Sequence, residues 1–355
     1  MIEILASGAL SSIQDEGRHG FRRFGVGTAG AMDALAYRAA NLLVGNTVAA
    51  PHSHGAAIGA AAIEVTVYPF VARFLADCRV ALTGALTGIR LDEHSRLPWS
   101  TFDAAAGQTL RLDAPRAGVR TYLAIRGDEV MDARDTDAAA DAADNVPDGG
   151  LAVPLVLGSR STDIKGGFGG FKGRCLKRGD VVPFAPVKSR IARRAFAVRP
   201  PETSLGAAPT DVAPLTIRVV EGPEYGYFDA VSQASFWREA WTITADSNRI
   251  GLRLDGTPMV LREPLEMRSH GIVPGVVQVP PQGKPIVLMR DCQTSGGYPK
   301  IATVIPADLR KLAQASLGSR FTFESVSVAE AGRATQRHDD YLAAIDNALW
   351  RQTWK

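Results

Sequence analysis

Short apolar or alternating runs, cut by Gly, Pro, Asn and Asp, recur along most of the chain. They include Ala62 to Val67, Val80 to Thr83, Gln108 to Leu112, Arg120 to Ile125, Leu215 to Val220, Trp241 to Thr244, Pro285 to Met289 and Arg320 to Glu324. Period-two alternation bounded by turn residues predicts strands. Many short strands with frequent turns, supplied by 35 Gly and 21 Pro, predict barrels or sandwiches rather than a doubly wound sheet, which needs long amphipathic helices between its strands. Helical spacing is confined to Met32 to Val44, Glu224 to Arg238, Ile305 to Ala315 and the tail from Ser327 to Trp350. In the first of these Leu35, Ala39, Leu42 and Leu43 form one stripe, and Asp33 stands where the helix dipole favours a negative charge.

The expected fold is therefore mainly β, with a few short helices and a C-terminal helix. A chain of 355 residues, 46% hydrophobic and 22% charged, suffices for two cores of about 150 residues each. A β-rich domain is expected over residues 1–187, a linker over 188–214, a barrel over 215–327 and a helical tail over 328–355. The linker assignment rests on Pro200, Pro201, Pro209 and Pro214 after a basic cluster (Lys188, Arg190, Arg193, Arg194). That cluster reads as a solvated linker, since no interleaved aromatics offer stacking to bases. Within the first domain, residues 128–150 are rich in Ala and Asp and poor in apolar side chains, and read as a mobile surface insertion.

Charge narrows the partners. With 40 Lys and Arg against 37 Asp and Glu the net charge is +3, so no overall field argues for nucleic acid or an anionic membrane. No apolar run approaches the roughly 18 to 20 residues that span a bilayer, and Met1 to Leu10 lacks a signal pattern. A cytoplasmic protein is the expectation. Cys78, Cys175 and Cys292 are odd in number and far apart, which disfavours a disulfide framework or a metal site. Each reads as a small buried hydrophobe, and Cys292, inside a Gly-rich segment, is the one candidate for a reactive thiol.

The densest candidate chemistry lies between Pro280 and Ile305. An apolar strand, Ile286 to Met289, runs into Asp291, Gln293 and Thr294, then Gly296, Gly297, Tyr298 and Lys300. Polar groups at a strand end, with a Gly pair that admits close backbone approach, suit a planar amide, urea or carboxylate. Asp291 can accept from an N–H or act as a base, Gln293 can donate and accept, and Lys300 can stabilise charge on a carbonyl or phosphoryl oxygen. The competing reading is a hairpin with solvated charges. A second cluster joins Ser247, Asn248 and Arg249 to His270, Gly271 and Gln278. Here Arg249 can hold a carboxylate or phosphate in two-pronged fashion, and His270 can shuttle protons near neutral pH. The competing reading is structural, with a lone packed His and a turn made by Asn248.

The third cluster, Ser12 to Asp33, is a Gly-rich loop carrying Gln14, Asp15, Arg18, Arg22 and Arg23 ahead of a helix, a natural anion site. No nucleotide signature strengthens it. Gly166 to Gly173 (GGFGGFKG) lacks the Gly before Lys172 and the Ser or Thr after it.

Together the runs QDEGRHGF, GAMD, ANLLVGN, LTGA, VLGSRST, GGFGGFKGR, DSNRIGLRL and GIVPGVVQVPPQGKPIVLMRDCQTSGGYPKIATV resemble, in this order, the family of the 5-oxoprolinase C subunit, also described as biotin-dependent carboxyltransferase or allophanate hydrolase subunit 2 and related to urea amidolyase. The resemblance covers about residues 1 to 325. It implies cyclophilin-like β-barrel domains, including one over residues 215–327, and a smaller cognate subunit. It carries over Gln14, Asp15, Arg22, Asp33, Ser247, Asn248, Arg249, Gln278, Gly296 and Gly297 as substrate-binding candidates. Asp291, Gln293, Tyr298, Lys300 and His270 become catalytic candidates, with no metal. The chain departs from the family at Glu16, Gly27 and Ala29, in the longer stretch Thr47 to Ala62, in the 128–150 insertion and at Cys292, where Arg is usual.

The leading function implied is one component of an ATP-dependent 5-oxoprolinase, converting 5-oxoproline to glutamate. It would act with a smaller B-type 5-oxoprolinase subunit and a lactam-utilisation subunit of the A type, and ATP would be shared with a partner. One alternative is carboxyl transfer from carboxybiotin carried on another chain, because this sequence has neither a biotin-acceptor Met-Lys-Met nor a carboxylase. A second is a non-catalytic antagonist of a kinase inhibitor.

Overall fold

The computed structural model describes residues 1–48, 59–128, 148–188, 195–201 and 214–353. Most of the 128–150 insertion, most of the 188–214 linker and the centre of the Thr47 to Ala62 stretch lie outside the described residues. The chain forms two compact units, one of Met1–Gly20, Ala29–Leu205 and Asp339–Lys355, the other of Phe21–Thr28 and Gly206–His338.

Unit 1 is built from eleven strands: β1 (Ile2–Ala6), β2 (Ser12–Gln14), β3 (Ala62–Val65), β4 (Phe70–Phe74), β5 (Cys78–Leu86), β6 (Ile89–Leu91), β7 (His94–Arg96), β8 (Ser100–Ala104), β9 (Thr109–Leu112), β10 (Ala117–Gly127) and β11 (Val181–Val182). They form two sheets, of order β11-β1-β4-β9-β6-β7 and β2-β3-β10-β5-β8. Alternate residues of both sheets, among them Ile4, Phe70, Ala72, Phe74, Val80, Leu82, Leu110 and Leu123, fill one core. Helix α1 (Ala34–Val44) starts at Asp33, whose carboxylate accepts from Ala36 N at 3.1 Å, and stops at Gly45 in the left-handed region. Such a cap contributes about 1 kcal/mol. Ala36, Ala39 and Ala40 on the buried face let the helix lie close to the sheet, and Thr83 Oγ1 donates to Ala36 O at 2.6 Å.

Unit 2 holds a closed barrel of β12 (Leu215–Glu221), β13 (Trp241–Ile243), β14 (Gly251–Asp255), β16 (Val276–Gln278), β17 (Ile286–Leu288), β19 (Lys300–Val304) and β20 (Arg320–Ser325). Parallel pairing of β12 with β20, in the register Leu215↔Phe321, closes it. A short separate ladder joins β15 (His270–Gly271) to β18 (Ser295–Gly296). Helix α2 (Ala230–Arg238) seats Phe236 on the barrel, stacked on Phe323 with ring centroids 4.5 Å apart.

The helix expected from Glu224 to Arg238 is broken. Residues Tyr225–Tyr227 form a 3-10 turn, Phe228 is extended and buried, and Asp229 caps α2 by accepting from Ser232 N. Burial of the Phe228 ring and the Asp229 cap both require the chain to leave helical geometry there, which overrides local propensity. Helix α3 (Pro306–Gln314) begins on proline at its first position, and α4 (Val328–Thr353) begins with a capping box between Ser327 and Glu330. Among the described residues no helix is long and apolar enough to cross a membrane.

Candidate functional site

Unit 2 brings the two C-terminal sequence clusters together. Lys300 opens β19 opposite Gln278 of β16, and His270 pairs with Gly296 across the β15–β18 ladder. The Lys300 ammonium lies 2.8 Å from Glu224 Oε2 and 2.6 Å from His270 Nε2. His270 Nδ1 lies 3.0 Å from the carbonyl of Arg268. A carbonyl only accepts, so Nδ1 carries the ring proton and Nε2 offers its lone pair to Lys300. This arrangement puts the Lys300 ammonium and the His270 imidazole side by side. Gln278 is buried beneath them, its amide 3.5 Å from Tyr298 O, and the Tyr298 ring is exposed. A Cβ on Gly296 would stand 2.8 Å from Gln278 Nε2; the backbone reaches the Gln278 amide because this residue has no side chain.

Arg249 and Asp291 form a second group. Arg249 Nε and Nη2 donate to the two Asp291 carboxylate oxygens at 2.8 and 2.9 Å, and both side chains are largely buried. This is the two-pronged grip read from the sequence, but its carboxylate belongs to the protein. Ser247 exchanges hydrogen bonds with the backbone of Arg253, and Asn248 Oδ1 accepts from Ile250 N at 2.8 Å. Both shape the turn that presents Arg249. Arg22 also lies in this unit, donating to Thr28 Oγ1 and to the carbonyls of Ile272 and Gln293. Gln293 is exposed. Burial pushes the Cys292 thiol above its ordinary range, and neighbouring Arg22 pulls the other way.

Gln14, Asp15 and Asp33 lie in unit 1. Asp15 accepts from Gly17 N and from Ser159, Arg160 and Ser161, while Gln14 ties Ser12, Gly30 and Thr162 together. Asp33 caps α1, and its N–H donates to the Tyr122 hydroxyl at 2.7 Å. The carboxylates of Asp15 and Asp33 are thus occupied in joining the N-terminal loop to the 159–162 segment and to α1. Among the described residues no group of His, Cys, Asp and Glu is arranged to hold a metal ion.

Sequence reading missed Glu224, which stands within a run expected to be helical and so resembles a solvated charge. The available signal is Gly222-Pro223 just before it, which interrupts helical spacing. It also missed Glu64, buried in unit 1, whose carboxylate accepts from the Tyr122 hydroxyl and from Met32 N. Alternation in β3 marks Glu64 only as a polar residue among apolar ones.

Comparison with known proteins places these residues in a family context. The model of the carboxyltransferase domain, subdomain A and B, matches residues 24–142 and 146–325. The chain is 40% identical to the 5-oxoprolinase C subunit of Escherichia coli over 99% of its length and 98% of that protein. It is 38% identical to the 5-oxoprolinase C subunit of Haemophilus influenzae over 97% of each. The crystal structure of Kluyveromyces lactis urea carboxylase superposes with a TM-score of 0.78 at 26% identity, covering 97% of this chain and 29% of that one.

Proposed function

We propose that this chain, which belongs to the carboxyltransferase family of subdomains A and B, is the C subunit of a multi-subunit 5-oxoprolinase that opens 5-oxoproline to glutamate at the expense of ATP. The observation that carries the reading is the 40% identity with a 5-oxoprolinase C subunit along nearly the whole of both chains. The partners are a smaller B-type subunit and a lactam-utilisation subunit of the A type, together in the cytoplasm.

The lactam is a planar amide whose resonance makes its carbonyl carbon a poor electrophile. Opening it adds one water across the C–N bond, and a second water is consumed as ATP becomes ADP and phosphate. Negative charge gathers on the lactam oxygen as water attacks, and the ring nitrogen must leave protonated. Lys300 supplies a fixed positive charge for that oxygen, worth about 3 to 4 kcal/mol of barrier when a single such donor is removed. His270 beside it orients the ammonium, its Nε2 accepting from Lys300. In this proposal Gly296, paired with His270, Gln278, paired with Lys300, and Gly297 and Tyr298, which lead into Lys300, provide the hydrogen-bonding surroundings an amide needs. Arg249 and Asp291 hold the strand end in place through their mutual pair, and Arg22 pins the Ile272 and Gln293 backbone around it.

The Gly-rich run does not take the form of a phosphate-binding loop leading into a helix. Gly166 to Gly173 folds into successive turns, with Gly167, Gly169, Gly170 and Gly173 at positive φ, and feeds no helix. In this proposal ATP is therefore bound mainly by partner subunits, and Gln14, Asp15 and Asp33 contribute by shaping the N-terminal loop.

A second reading, carboxyl transfer from biotin on another chain to a urea-like acceptor, is favoured by the likeness to urea carboxylase. Substrate trials on the reconstituted complex separate the two. Glutamate formed from 5-oxoproline with ATP supports the first; biotin-dependent carboxylation of urea without lactam opening would replace it with the second.

A further inference from the structure

Glu224 is held against Lys300 by a built contact. Gly222 N donates to Ile301 O at 2.8 Å, and a Cβ at Gly222 would fall 2.1 Å from Lys300 O, so only glycine allows this loop to lie on β19. Two residues on, Glu224 Oε2 accepts from both the backbone N–H of Lys300, at 3.0 Å, and its ammonium, at 2.8 Å. Both side chains are mostly buried, at 14% and 12% exposure, so this pair is little screened by water.

A lysine ammonium is ordinarily a rotating point charge on a flexible stem, with three donors and no preferred direction. Here two of its three N–H groups have fixed acceptors: Glu224 on one side and His270 Nε2 on the other. His270 is itself fixed, because its Nδ1–H is taken by the Arg268 carbonyl. With two directions fixed the third is determined.

We propose that Glu224 is the positioning residue of this site: together with His270 it locks rotation of the Lys300 ammonium, so that the remaining N–H points in one direction as a charged donor for a ligand oxygen. The ligand class is a small carbonyl or carboxylate compound with a polarisable oxygen. Its identification as the lactam rests on the proposed function, whereas the locking of Lys300 does not. Glu224 need not touch the substrate. It acts through Lys300, converting a diffuse charge into an oriented hydrogen bond.

Exchange of the Lys300 ammonium protons with water, read by nitrogen-15 NMR of the full chain and assigned by its loss in Lys300→Met, tests the lock directly. Wild type should exchange slowly enough to give a resolved ammonium signal, and Glu224→Gln should exchange at least tenfold faster. Should Glu224→Gln not fold, Glu224→Asp, whose carboxylate is withdrawn by about 1.5 Å, should show the same acceleration. An unchanged exchange rate in a folded Glu224 variant overturns the proposal. In the assembled complex Glu224→Gln should lower kcat about a hundredfold with little change in KM, and should cost nothing further in a Lys300→Met background. Equal additional loss in that background overturns the proposal, because it would mean that Glu224 acts independently of Lys300. If exchange accelerates as expected but no variant or wild-type complex opens 5-oxoproline, the positioning role stands and the lactam assignment falls.

Discussion

Replacing Arg249 by Met should destabilise unit 2 severely, and the structure sets the size of the effect. The Arg249 and Asp291 side chains are 11% and 5% exposed and share two hydrogen bonds of 2.8 and 2.9 Å. An exposed ion pair contributes only about 0.2–1 kcal/mol, because water competes for both partners. Removing one partner of a buried pair instead strands the other's charge, at a cost of about 3–5 kcal/mol. The backbone bond from Asp291 N to Arg249 O survives the substitution, so the loss should fall near the lower end, ~3 kcal/mol. That corresponds to roughly 6–12 °C in Tm, at about 2–4 °C per kcal/mol. Thermal and urea unfolding followed by tryptophan fluorescence would measure it, with Trp241→Phe identifying the transition of the barrel. Arg249→Met combined with Asp291→Leu should recover much of the stability, because no charge is then left buried. A loss below about 1 kcal/mol in Arg249→Met, the range of an exposed pair, would refute the claim that this pair is buried.

Two further expectations follow from the same molecule. Burial pushes the Asp308 carboxyl up, but bonds from Arg218 and the charge of Lys311 win and hold it below the usual carboxylate range. Its folded value is depressed, so its stabilisation is present above the unfolded value of about 3.9 and disappears as pH falls through the folded one. Urea midpoints measured from about pH 6 down to about pH 2 should therefore fall steeply in wild type at the acid end and less steeply in Asp308→Asn. Cys292 is fully buried with its thiol pushed up, whereas Cys175 is partly exposed; in the native protein at about pH 8 a thiol reagent should modify Cys175 first, and fast labelling of Cys292 would contradict its burial.

Much of the fold is legible because strand alternation is local. Leu215 to Val220 and Arg320 to Glu324 each announce a strand, yet their parallel pairing, which closes the barrel, joins residues about a hundred positions apart and leaves no local mark. The site divides along the same line. Lys300, His270 and Gln278 declare themselves by residue type near glycines, and the barrel does bring them together. The Asp291 carboxylate reads from the sequence as a free acceptor, whereas Arg249, 42 residues earlier, occupies it. Glu224 is marked in the sequence only by the preceding Gly222-Pro223, because its partner is 76 residues away and its own neighbourhood resembles the start of a helix. Asp15 likewise spends its acceptors on Ser159 and Ser161, a long-range network that no spacing rule foretells.

At the centre of the proposed function stands this chain as the source of the charged donor in a lactam-opening complex. Its most direct test is glutamate formation from 5-oxoproline and ATP by the complex assembled with wild-type chain, with Lys300→Met chain and with the chain omitted. Turnover is expected in the first, a fall of about a hundred- to a thousandfold in kcat in the second, with the chain still folded and assembled, and none in the third. Equal glutamate production in all three would contradict it.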